Sequence, residues 1–538
     1  MKSAQIFYKK GLYAMKKMWK GCALTLAVAL TLAGCGQKGT DNEVGKELEA
    51  AKLGDSYPLS TTETLTMWAD APVHASYASY KDMPFYQDLM KNTGVTVDFR
   101  FPPQGQSAEA FNLLIASGSL PDVILYHWTH AAGGPQKFLD EKYIIPLNDI
   151  FDAYSPNIKK YLSEHKDADR MVKTDNGQYY CYPFLRGDDW LTVYSGPVVR
   201  RDLMDKFSIA EPETLDDWHA MLTTFKENGV KVPLTLPTND YYLAGGVNGY
   251  YDFYIDNGKV KYGPIENGWR DYINVMNKWY NEGLIDKDYG SLDSTVLKQK
   301  MSSGDVGATI GSGSEIGTWL SAGKKNNSAY DLQGIHYPVP QKGMTAEFGQ
   351  KDNIYPGYGC AAITTACKNL ELAAKFLDYF YSEEGQLFSN FGTEGVSYEM
   401  KDGQPVFTDV IFDEAGTAAN IGKYAWSYST TLSIQDKRMY EQRLSWDQQK
   451  AAIDVWNQTN MANHIIPPVL PNSEETSVMA DVTSQLKTYM EEFYYASVTA
   501  KEPLSEEAFN AYVQQVKALG VDKVIKIYED AIARYNNR

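Results

Sequence analysis

FNLLIASGSLPDVIL, residues 111–125, joins a helix directly to a buried strand. Its first seven residues have the apolar spacing of a helix, and Gly118 is the residue type that most readily ends one. The last five, Pro121–Leu125, form a short apolar run typical of a strand that is buried on both faces. A helix that leads straight into such a strand is typical of α/β folds, in which helices cover a parallel sheet.

Two stretches with the alternating pattern of strands lie upstream, at residues 64–68 and 95–99. A helical segment at 85–92 separates them and ends at Gly94. The order is therefore strand, helix, strand, helix, strand. This order predicts a parallel sheet with helices on its faces, so the predicted fold class is α/β.

Helical patterns also occupy the later part of the chain. Thr214 and Asp217 form a capping box, in which each side chain satisfies a free backbone N–H at a helix start. Trp218 and Trp279 fall on apolar helix stripes and are predicted to be core residues. Residues 509–535 predict two helices, because Gly520 interrupts the pattern.

The composition is that of a large globular protein. The 538 residues predict two or three domains, and 43% are hydrophobic against 22% charged. A formal net charge of −17 argues against nucleic acid as a partner, because like charges repel. Aromatic residues make up 13% of the chain, which indicates either an aromatic core or a cleft lined with flat rings. The five cysteines include no C-x-x-C pair, so no disulfide framework is expected.

The N-terminal region has the features of a signal peptide. Three lysines between positions 16 and 20 precede an apolar run over residues 21–34. That run is shorter than the ~20 residues of a membrane-spanning helix. We expect residues 1–34 to be removed, with Met15 as an alternative start, and the polar stretch 35–62 to be a flexible tether.

The segment LAGC, residues 32–35, resembles the lipobox of bacterial lipoproteins. In that family the peptide is cut just before the cysteine, whose thiol carries the lipid, so Cys35 is the expected lipidation site. The lipid would hold the protein at the membrane, because each buried CH₂ contributes about 0.8 kcal/mol. The alternative is an ordinary signal peptide with a cysteine here by chance.

Five further segments occur in the order of one protein family. They are LIASGSLPDVI (114–124), YIIPLNDI (143–150), GQYYCYPF (177–184), RRDLMDKFSIAEPETLDDWHAML (200–222) and FLDYFYSEEGQLFSNFGTEG (376–395). Behind a lipobox they resemble the extracellular solute-binding lipoproteins of carbohydrate ABC importers, within these the LipO group of Gram-positive bacteria. The resemblance covers about residues 63–538.

The resemblance implies a periplasmic-binding-protein-like fold of type II, with two α/β lobes and a ligand cleft between them. The expected lobes are 63–184 plus 356–425 for the first and 185–355 plus 426–538 for the second. YCYPF (180–184) resembles the first crossover and YPGYGCAAITT (355–365) the return. A parallel sheet is expected in each lobe, and ligands of such sheets lie at the carboxyl ends of the strands.

The implied function is binding without catalysis. The protein would capture an oligosaccharide, close its lobes and deliver the ligand to an ABC permease. No cofactor or metal is expected, and the protein is expected to be a monomer on the extracellular face of a Gram-positive cell membrane. Acidic, ring-rich loops with few basic residues favour a neutral sugar over uronates. The sugar, its linkage and its length stay open.

Candidate ligand contacts are polar and aromatic residues that follow predicted strands or lie at crossovers. Flat rings cover the apolar face of a sugar, while carboxylates, amides and arginine bond to its hydroxyls. The candidates are Trp68, Asp70, Trp128, Arg186, Asp188, Asp189, Trp190, Asn239, Asp240, Tyr241, Glu315, Tyr355, Tyr358, Glu394 and Trp426. Trp128 and residues 188–190 are the strongest, because core packing explains a polar, aromatic loop poorly. For each of the other rings, core packing is the alternative.

Metal motifs in the sequence are incomplete. His127 and His130 lack a third ligand. Asp286 and Asp288 begin like a calcium loop, yet no glycine follows at the sixth place and no glutamate at the twelfth. We therefore predict no metal site, and a structural calcium ion, which the resemblance to alginate-binding relatives suggests, stays open as the alternative.

Two other functional classes stay open. One is a surface polysaccharide lyase or glycosidase with Asp188 and Asp189 as its carboxylates, although adjacency does not establish the ~5–9 Å separation that glycosidases need. The other is a lipoprotein that binds peptides or other solutes, or a sensory adaptor for a histidine kinase.

Overall fold

The computed structural model describes residues 52–71, 75–77, 80–103, 105–238, 240–414, 416–426 and 431–538. The predicted signal peptide, the lipidation residue Cys35 and the candidate contact Asn239 lie outside the described residues. Of the predicted tether, the part from Lys52 onward is described. Here Leu59 is buried and its N–H donates to the Thr93 carbonyl (2.8 Å). This part of the chain is therefore packed on the fold, which corrects the predicted boundary at residue 63.

Strands and helices alternate along most of the chain. The strands are β1 Thr64–Ala69, β2 Thr96–Arg100, β3 Val123–Tyr126, β4 Phe184–Arg186, β5 Ser195–Arg200, β6 Val232–Leu234, β7 Phe253–Asp256, β8 Lys259–Tyr262, β9 Val306–Ser312, β10 Leu332–Gly334, β11 Cys360–Ile363, β12 Tyr398–Lys401, β13 Gln404–Phe407 and β14 Ser433–Gln435. The helices are α1 Pro84–Thr93, α2 Ser107–Ser117, α3 Gly134–Asp140, α4 Asn148–Tyr154, α5 Pro156–Glu164, α6 Lys166–Met171, α7 Arg201–Phe207, α8 Leu215–Glu227, α9 Asn267–Asn281, α10 Ser294–Ser303, α11 Gly313–Asn326, α12 Leu370–Asp378, α13 Glu383–Phe391, α14 Lys437–Arg443, α15 Asp447–Trp456, α16 Ser473–Val498, α17 Glu506–Leu519 and α18 Val521–Tyr535.

The first sheet has the strand order β11-β3-β1-β2. β1 pairs in parallel with both β2 and β3, as the sequence predicts, whereas β11 pairs antiparallel with β3. Its core residues come from the early part of the chain, from β11 and from α12, for example Met67, Ile124, Ala361 and Phe376. This sheet and its helices form the first lobe.

The second sheet has the order β10-β5-β9-β6 and forms the second lobe. β6 and β9 are parallel, but β5 runs against both β9 and β10, so the predicted parallel sheet is in fact mixed. The reason is the path of the chain. β5 and β11 each follow a segment that crosses between the lobes, so they start at the sheet edge where their neighbours end.

The two lobes have separate cores. The second lobe has a core on each face of its sheet. Val199 packs on one face and its neighbour Val198 on the other, which is the alternation expected of a strand. Trp218 and Trp279 are buried in the second lobe, so their predicted core role is confirmed. Trp426, by contrast, is buried in the core of the first lobe although the predicted boundary placed it in the second.

Three chain segments cross between the lobes. β4 pairs in parallel with β14, and the Gly187 N–H donates to the Gln435 carbonyl (3.0 Å). The third crossing segment is residues 350–358, whose Ile354 carbonyl accepts from Arg186 N–H (3.0 Å). The crossings at β4 and at residues 350–358 were predicted. The crossing at β14 was expected earlier, at the predicted lobe boundary between residues 425 and 426.

Helix starts agree with the sequence pattern. Thr214 and Asp217 form the predicted capping box of α8. A hydrogen bond from Lys342, followed by the bonds from Thr214, lowers the pKa of Asp217 to about 2. Gly520 separates α17 from α18, as predicted.

No helix in the described ranges has both the length and the apolar character needed to cross a membrane.

Candidate ligand-binding cleft

The first sheet ends in a row of polar and aromatic residues. Asp70 follows β1 and His127 follows β3, while Tyr358 precedes the oppositely directed β11, in whose ladder Cys360 pairs with Tyr126. Asp70, His127 and Tyr358 therefore lie at one edge, which we call the first cleft edge. The rings of His127 and Tyr358 are 5.6 Å apart.

Burial and charge set the ionisation of this edge. Burial lowers the pKa of His127, with the Asp70 carboxylate acting in the opposite direction. The imidazole is therefore neutral at neutral pH and can both donate and accept a hydrogen bond. The Asp70 carboxylate is held in place by a bond from Ser107 Oγ (2.5 Å).

The second sheet ends in a comparable row. Tyr194 precedes β5, Asp240 follows β6, and Glu315 lies in the first turn of α11 just beyond β9. Ser195 pairs with Ser312, so the start of β5 and the end of β9 coincide. We call the row of Tyr194, Asp240 and Glu315 the second cleft edge. Tyr194 is 40% exposed, which leaves its ring open to a ligand.

Asp240 is a partly exposed carboxyl group among phenols. Burial raises the pKa of Asp240 to about 7, and the charge of Glu315 acts in the same direction. Its Oδ1 accepts a long hydrogen bond from Tyr242 N–H (3.3 Å). The hydroxyls of Tyr242 and Tyr251 are 3.4 Å apart, and the charge of Asp240 adds to the burial that raises the pKa of each. Near neutral pH Asp240 can therefore be protonated and donate a hydrogen bond.

Arg186 connects the two edges. Its Nη2 donates to Tyr358 Oη (3.0 Å) and pairs with Asp352 Oδ2 (2.8 Å). The Asp352 N–H donates to the carbonyl of Thr192 (2.9 Å), two residues before Tyr194. The contacts therefore lead from the first cleft edge to the chain segment just before Tyr194 of the second.

Charges from both lobes act on Tyr194. Burial raises the pKa of Tyr194 to about 12, Asp352 adds to the rise, and Arg186 opposes it. Tyr358 and Tyr251 make smaller contributions in the same direction as Asp352. The Tyr194 hydroxyl thus lies near groups of the first lobe, the crossing segments and the second lobe.

Five predicted contacts lie in this region: Asp70, Arg186, Asp240, Glu315 and Tyr358. The sequence analysis missed Tyr194 and Asp352. Tyr194 directly precedes β5 and Asp352 lies in the segment before β11, whereas most of the candidates were predicted from positions after strands. The signal that could have found them is the crossover itself, because a strand that follows a crossover starts at the cleft.

Most predicted ring contacts are buried, which corrects the expectation that they stack on a ligand. The strongest, Trp128, is 0% exposed, and its Nε1 donates to the Cys360 carbonyl (3.1 Å). Trp190 is buried in the second lobe, where its Nε1 donates to Asp454 (2.8 Å). These two residues lie in different cores and do not form one cluster. The other buried rings are Trp68, Tyr241, Tyr355 and Trp426.

Several predicted carboxylates have structural roles. Asp188 accepts from Trp190 N–H (2.8 Å), which caps a short helical turn, and the exposed Asp189 pairs with Lys351 (2.8 Å). Glu315 completes the capping box of α11 with Ser312, although it does so at the second cleft edge. These contacts also give Asp188 and Asp189 no shared catalytic position.

Glu394 is exposed in the first lobe, in a depression of about 510 Å³ that Tyr57, Glu384 and Tyr398 also line. The residues that line this depression do not overlap with either cleft edge. Glu394 therefore lies apart from the cleft.

The calcium-like start of the loop at Asp286 is filled by a lysine. Lys300 Nζ lies 2.7 Å from Asp286 Oδ2 and 2.8 Å from Asp288 Oδ2. An ammonium group thus occupies the place between the two carboxylates, which does not fit a bound divalent cation. In the described part of the chain, no group of three or more His, Cys, Asp and Glu side chains could hold a metal ion.

Known proteins resemble this chain over most of its length. The fructooligosaccharide ABC transporter substrate-binding protein FusA of Streptococcus pneumoniae is 28% identical over 414 residues, which are 71% of this chain and 72% of that protein. Lipoprotein LipO of Bacillus subtilis is 24% identical over 425 residues, 74% of this chain and 76% of LipO. The crystal structure of the alginate-binding protein AlgQ2 has a TM-score of 0.68 at 25% identity and covers 88% of this chain and 98% of AlgQ2.

These similarities agree with the two sheets, the three crossing segments and the cleft edges. The fold is that of the type II periplasmic binding proteins. The sequence also matches the family described as bacterial extracellular solute-binding protein over residues 71–387. That match spans more than half of the chain. The chain therefore belongs to the bacterial extracellular solute-binding proteins.

Proposed function

We propose that this protein captures a neutral oligosaccharide between its cleft edges and delivers it to the membrane subunits of an ABC importer. The observation that carries the proposal is the set of contacts that leads from Tyr358 of the first lobe through the Arg186–Asp352 pair to the Thr192 carbonyl, two residues before Tyr194 of the second lobe. The names of the relatives support a carbohydrate ligand, since FusA is named for fructooligosaccharides and AlgQ2 for alginate.

The side chains suit a sugar. Tyr194 offers a partly exposed ring for the apolar face of a sugar, and Asp70 and Asp352 offer acceptors for its hydroxyls. Asp240 can accept a hydrogen bond from a hydroxyl or, when protonated, donate one. A neutral ligand is favoured because Arg186, the arginine that connects the two edges, is already paired with Asp352. An acidic sugar would meet the Asp70 carboxylate at the first edge and the Glu315 carboxylate at the second, which costs binding energy.

Binding would work by a shift between open and closed forms. A ligand that contacts both cleft edges only when the lobes are close stabilises the closed form by the free energy of those extra contacts. No step makes or breaks a bond, so we propose a binding protein and not an enzyme.

The cellular setting is also part of the proposal. A lipid on Cys35 would hold the mature monomer on the outer face of a Gram-positive cell membrane, within reach of its permease. The match to an extracellular family and the similarity to a lipoprotein support this placement.

The test is a thermal-shift and calorimetry screen of residues 52–538 against neutral oligosaccharides, uronate oligosaccharides and peptides. A ligand at 100 times its Kd should add about 2.7 kcal/mol to stability. We expect the largest shift from a neutral oligosaccharide that is recovered intact afterwards. A shift by peptides alone, or cleavage of the sugar, would overturn the proposal in favour of a peptide receptor or an enzyme.

A further inference from the structure

The first cleft edge continues beyond the residues used above. In the strand order β11-β3-β1-β2, Tyr358, His127 and Asp70 mark the cleft ends of the first three strands. Phe101 directly follows β2, which is parallel to β1, so it marks the cleft end of the fourth. Because neighbouring strands lie about 4.8 Å apart, the row from Tyr358 to Phe101 spans roughly 14 Å.

Phe101 is part of a fixed aromatic pair. Its ring stacks on Tyr80 with 7° between the planes, and both rings are partly exposed. Tyr80 Oη donates to the carbonyl of Ala71, the residue after Asp70 (2.7 Å). The buried ring of Tyr86 meets both rings edge-on, at 5.5 and 5.8 Å. The pair is therefore held at the same edge as Asp70, one strand farther out.

We propose that Phe101 and Tyr80 form an outer sugar subsite, so that the cleft binds chains longer than a disaccharide more tightly than a disaccharide. This inference rests on the proposed function. A row of roughly 14 Å is longer than a disaccharide, and stacked rings are a surface on which the apolar face of a further sugar residue can lie.

The chemistry of the Phe101–Tyr80 pair determines which feature of a ligand the outer subsite recognises. Arg100, which precedes Phe101, pairs with Asp98 (3.2 Å), so its charge is already matched on β2. The Tyr80 hydroxyl is engaged with Ala71. The subsite therefore offers ring faces with little hydrogen-bonding demand, and it recognises the length of a chain more than the identity of its outer sugar.

The test measures affinity against chain length by calorimetry. The probes are two neutral series, sucrose, kestose and nystose, and maltose, maltotriose and maltotetraose. The variants are Phe101→Ala and Phe101→Leu, the second of which keeps apolar volume but removes the flat ring. Phe207→Ala is the matched control, because Phe207 is a partly exposed ring beyond the opposite end of β5.

For the wild type and Phe207→Ala we expect a clear gain in affinity beyond the disaccharide in the series that binds. Both Phe101 variants should lose roughly 2- to 10-fold for the longer sugars and little for the disaccharide. Equal affinity at all lengths, or a length dependence that survives in both Phe101 variants, would overturn the subsite alone. If neither series binds, the same comparison is made with the neutral oligosaccharide that gives the largest thermal shift and with its shorter homologues. Binding of no neutral oligosaccharide would overturn this inference together with the proposed neutral-sugar function.

Discussion

Arg538, beyond the end of α18, pairs with Asp175 of the first lobe, with Nη2 and Oδ1 2.7 Å apart. The second oxygen of Asp175 accepts from Arg534 Nε, also at 2.7 Å. The other end of α18 is buried in the second lobe through Val521 and Val524. The helix therefore fastens the two lobes to each other through charged groups near its C-terminal end.

Asp175→Asn should lower the free energy of unfolding by roughly 3 kcal/mol, because the Arg538 side chain is 0% exposed and would lose its counter-charge. Urea unfolding measures this. The matched control is Asp530→Asn on the same helix, whose pair with Lys526 is exposed and should contribute under about 0.5 kcal/mol. Equal small losses in both variants would contradict the fastening role.

The pH dependence of stability should reveal Asp240. Its pKa is about 7 in the folded protein, above the ordinary value near 3.9 in the unfolded chain. Between about pH 4 and pH 7 the folded state therefore binds more protons, so this group makes stability fall as pH rises through that window. Asp240→Asn removes the effect. The difference in unfolding free energy between the variant and wild type should therefore grow in favour of the variant by roughly 2 kcal/mol from pH 5 to pH 8.

Urea unfolding of both proteins at pH 5 and pH 8 measures that difference. Buried Asp378, whose pKa is raised to about 6, is present in both proteins and cancels in the comparison. A gap between wild type and variant that is the same at both pH values would show that Asp240 titrates normally.

The elements that could be predicted from sequence are those with local signals. β1 and β2 follow from alternation, β3 from a short apolar run, and the capping box of α8 from the pair Thr214–Asp217, all of which are short-range patterns. The direction of β5 could not be predicted from its own residues, because it depends on where the preceding crossover enters the sheet.

The same distinction holds for the cleft. Asp70 was selected because it directly follows a strand, and it lies at the first cleft edge. The same criterion also selected Trp128, whose ring is buried in the core. Sequence position fixes where a Cα lies along a strand and not which way a large side chain points. Tyr194 shows the converse, since it is exposed at the cleft without any preceding strand.

Trp128→Ala should therefore act on stability and not directly on the ligand. Removal of a fully buried indole from between Phe111 and Phe138 should lower the free energy of unfolding by about 3–5 kcal/mol. At a temperature where the variant is folded, we expect its Kd for a bound oligosaccharide to stay close to the wild-type value. Calorimetry on the folded variant would count against this if affinity fell while unfolding stayed near wild type.

Lys300 should make this chain independent of calcium at Asp286 and Asp288. We expect the same Tm in calcium chloride and in EDTA, because one ammonium group already pairs with both carboxylates and occupies the place between them. Lys300→Met should lower the free energy of unfolding by roughly 3 kcal/mol, since the Asp286 side chain is only 5% exposed. Lys231→Met, in an exposed pair with Asp305, is the control. A drop in Tm on adding EDTA to the wild type would contradict the prediction.

Tyr194→Ala should weaken ligand binding while leaving the fold intact. The ring is 40% exposed at the second cleft edge, so little packing is lost, whereas a stacked sugar would lose its platform. We expect a loss of about 1–3 kcal/mol in binding free energy by calorimetry with the oligosaccharide that gives the largest thermal shift.

Tyr194→Phe should retain most of that affinity if stacking dominates, because it keeps the ring and removes only the hydroxyl. Phe207→Ala should leave Kd unchanged, since that ring lies beyond the opposite end of β5. Wild-type affinity in Tyr194→Ala would mean that the ligand does not bridge the two edges at Arg186 and Asp352.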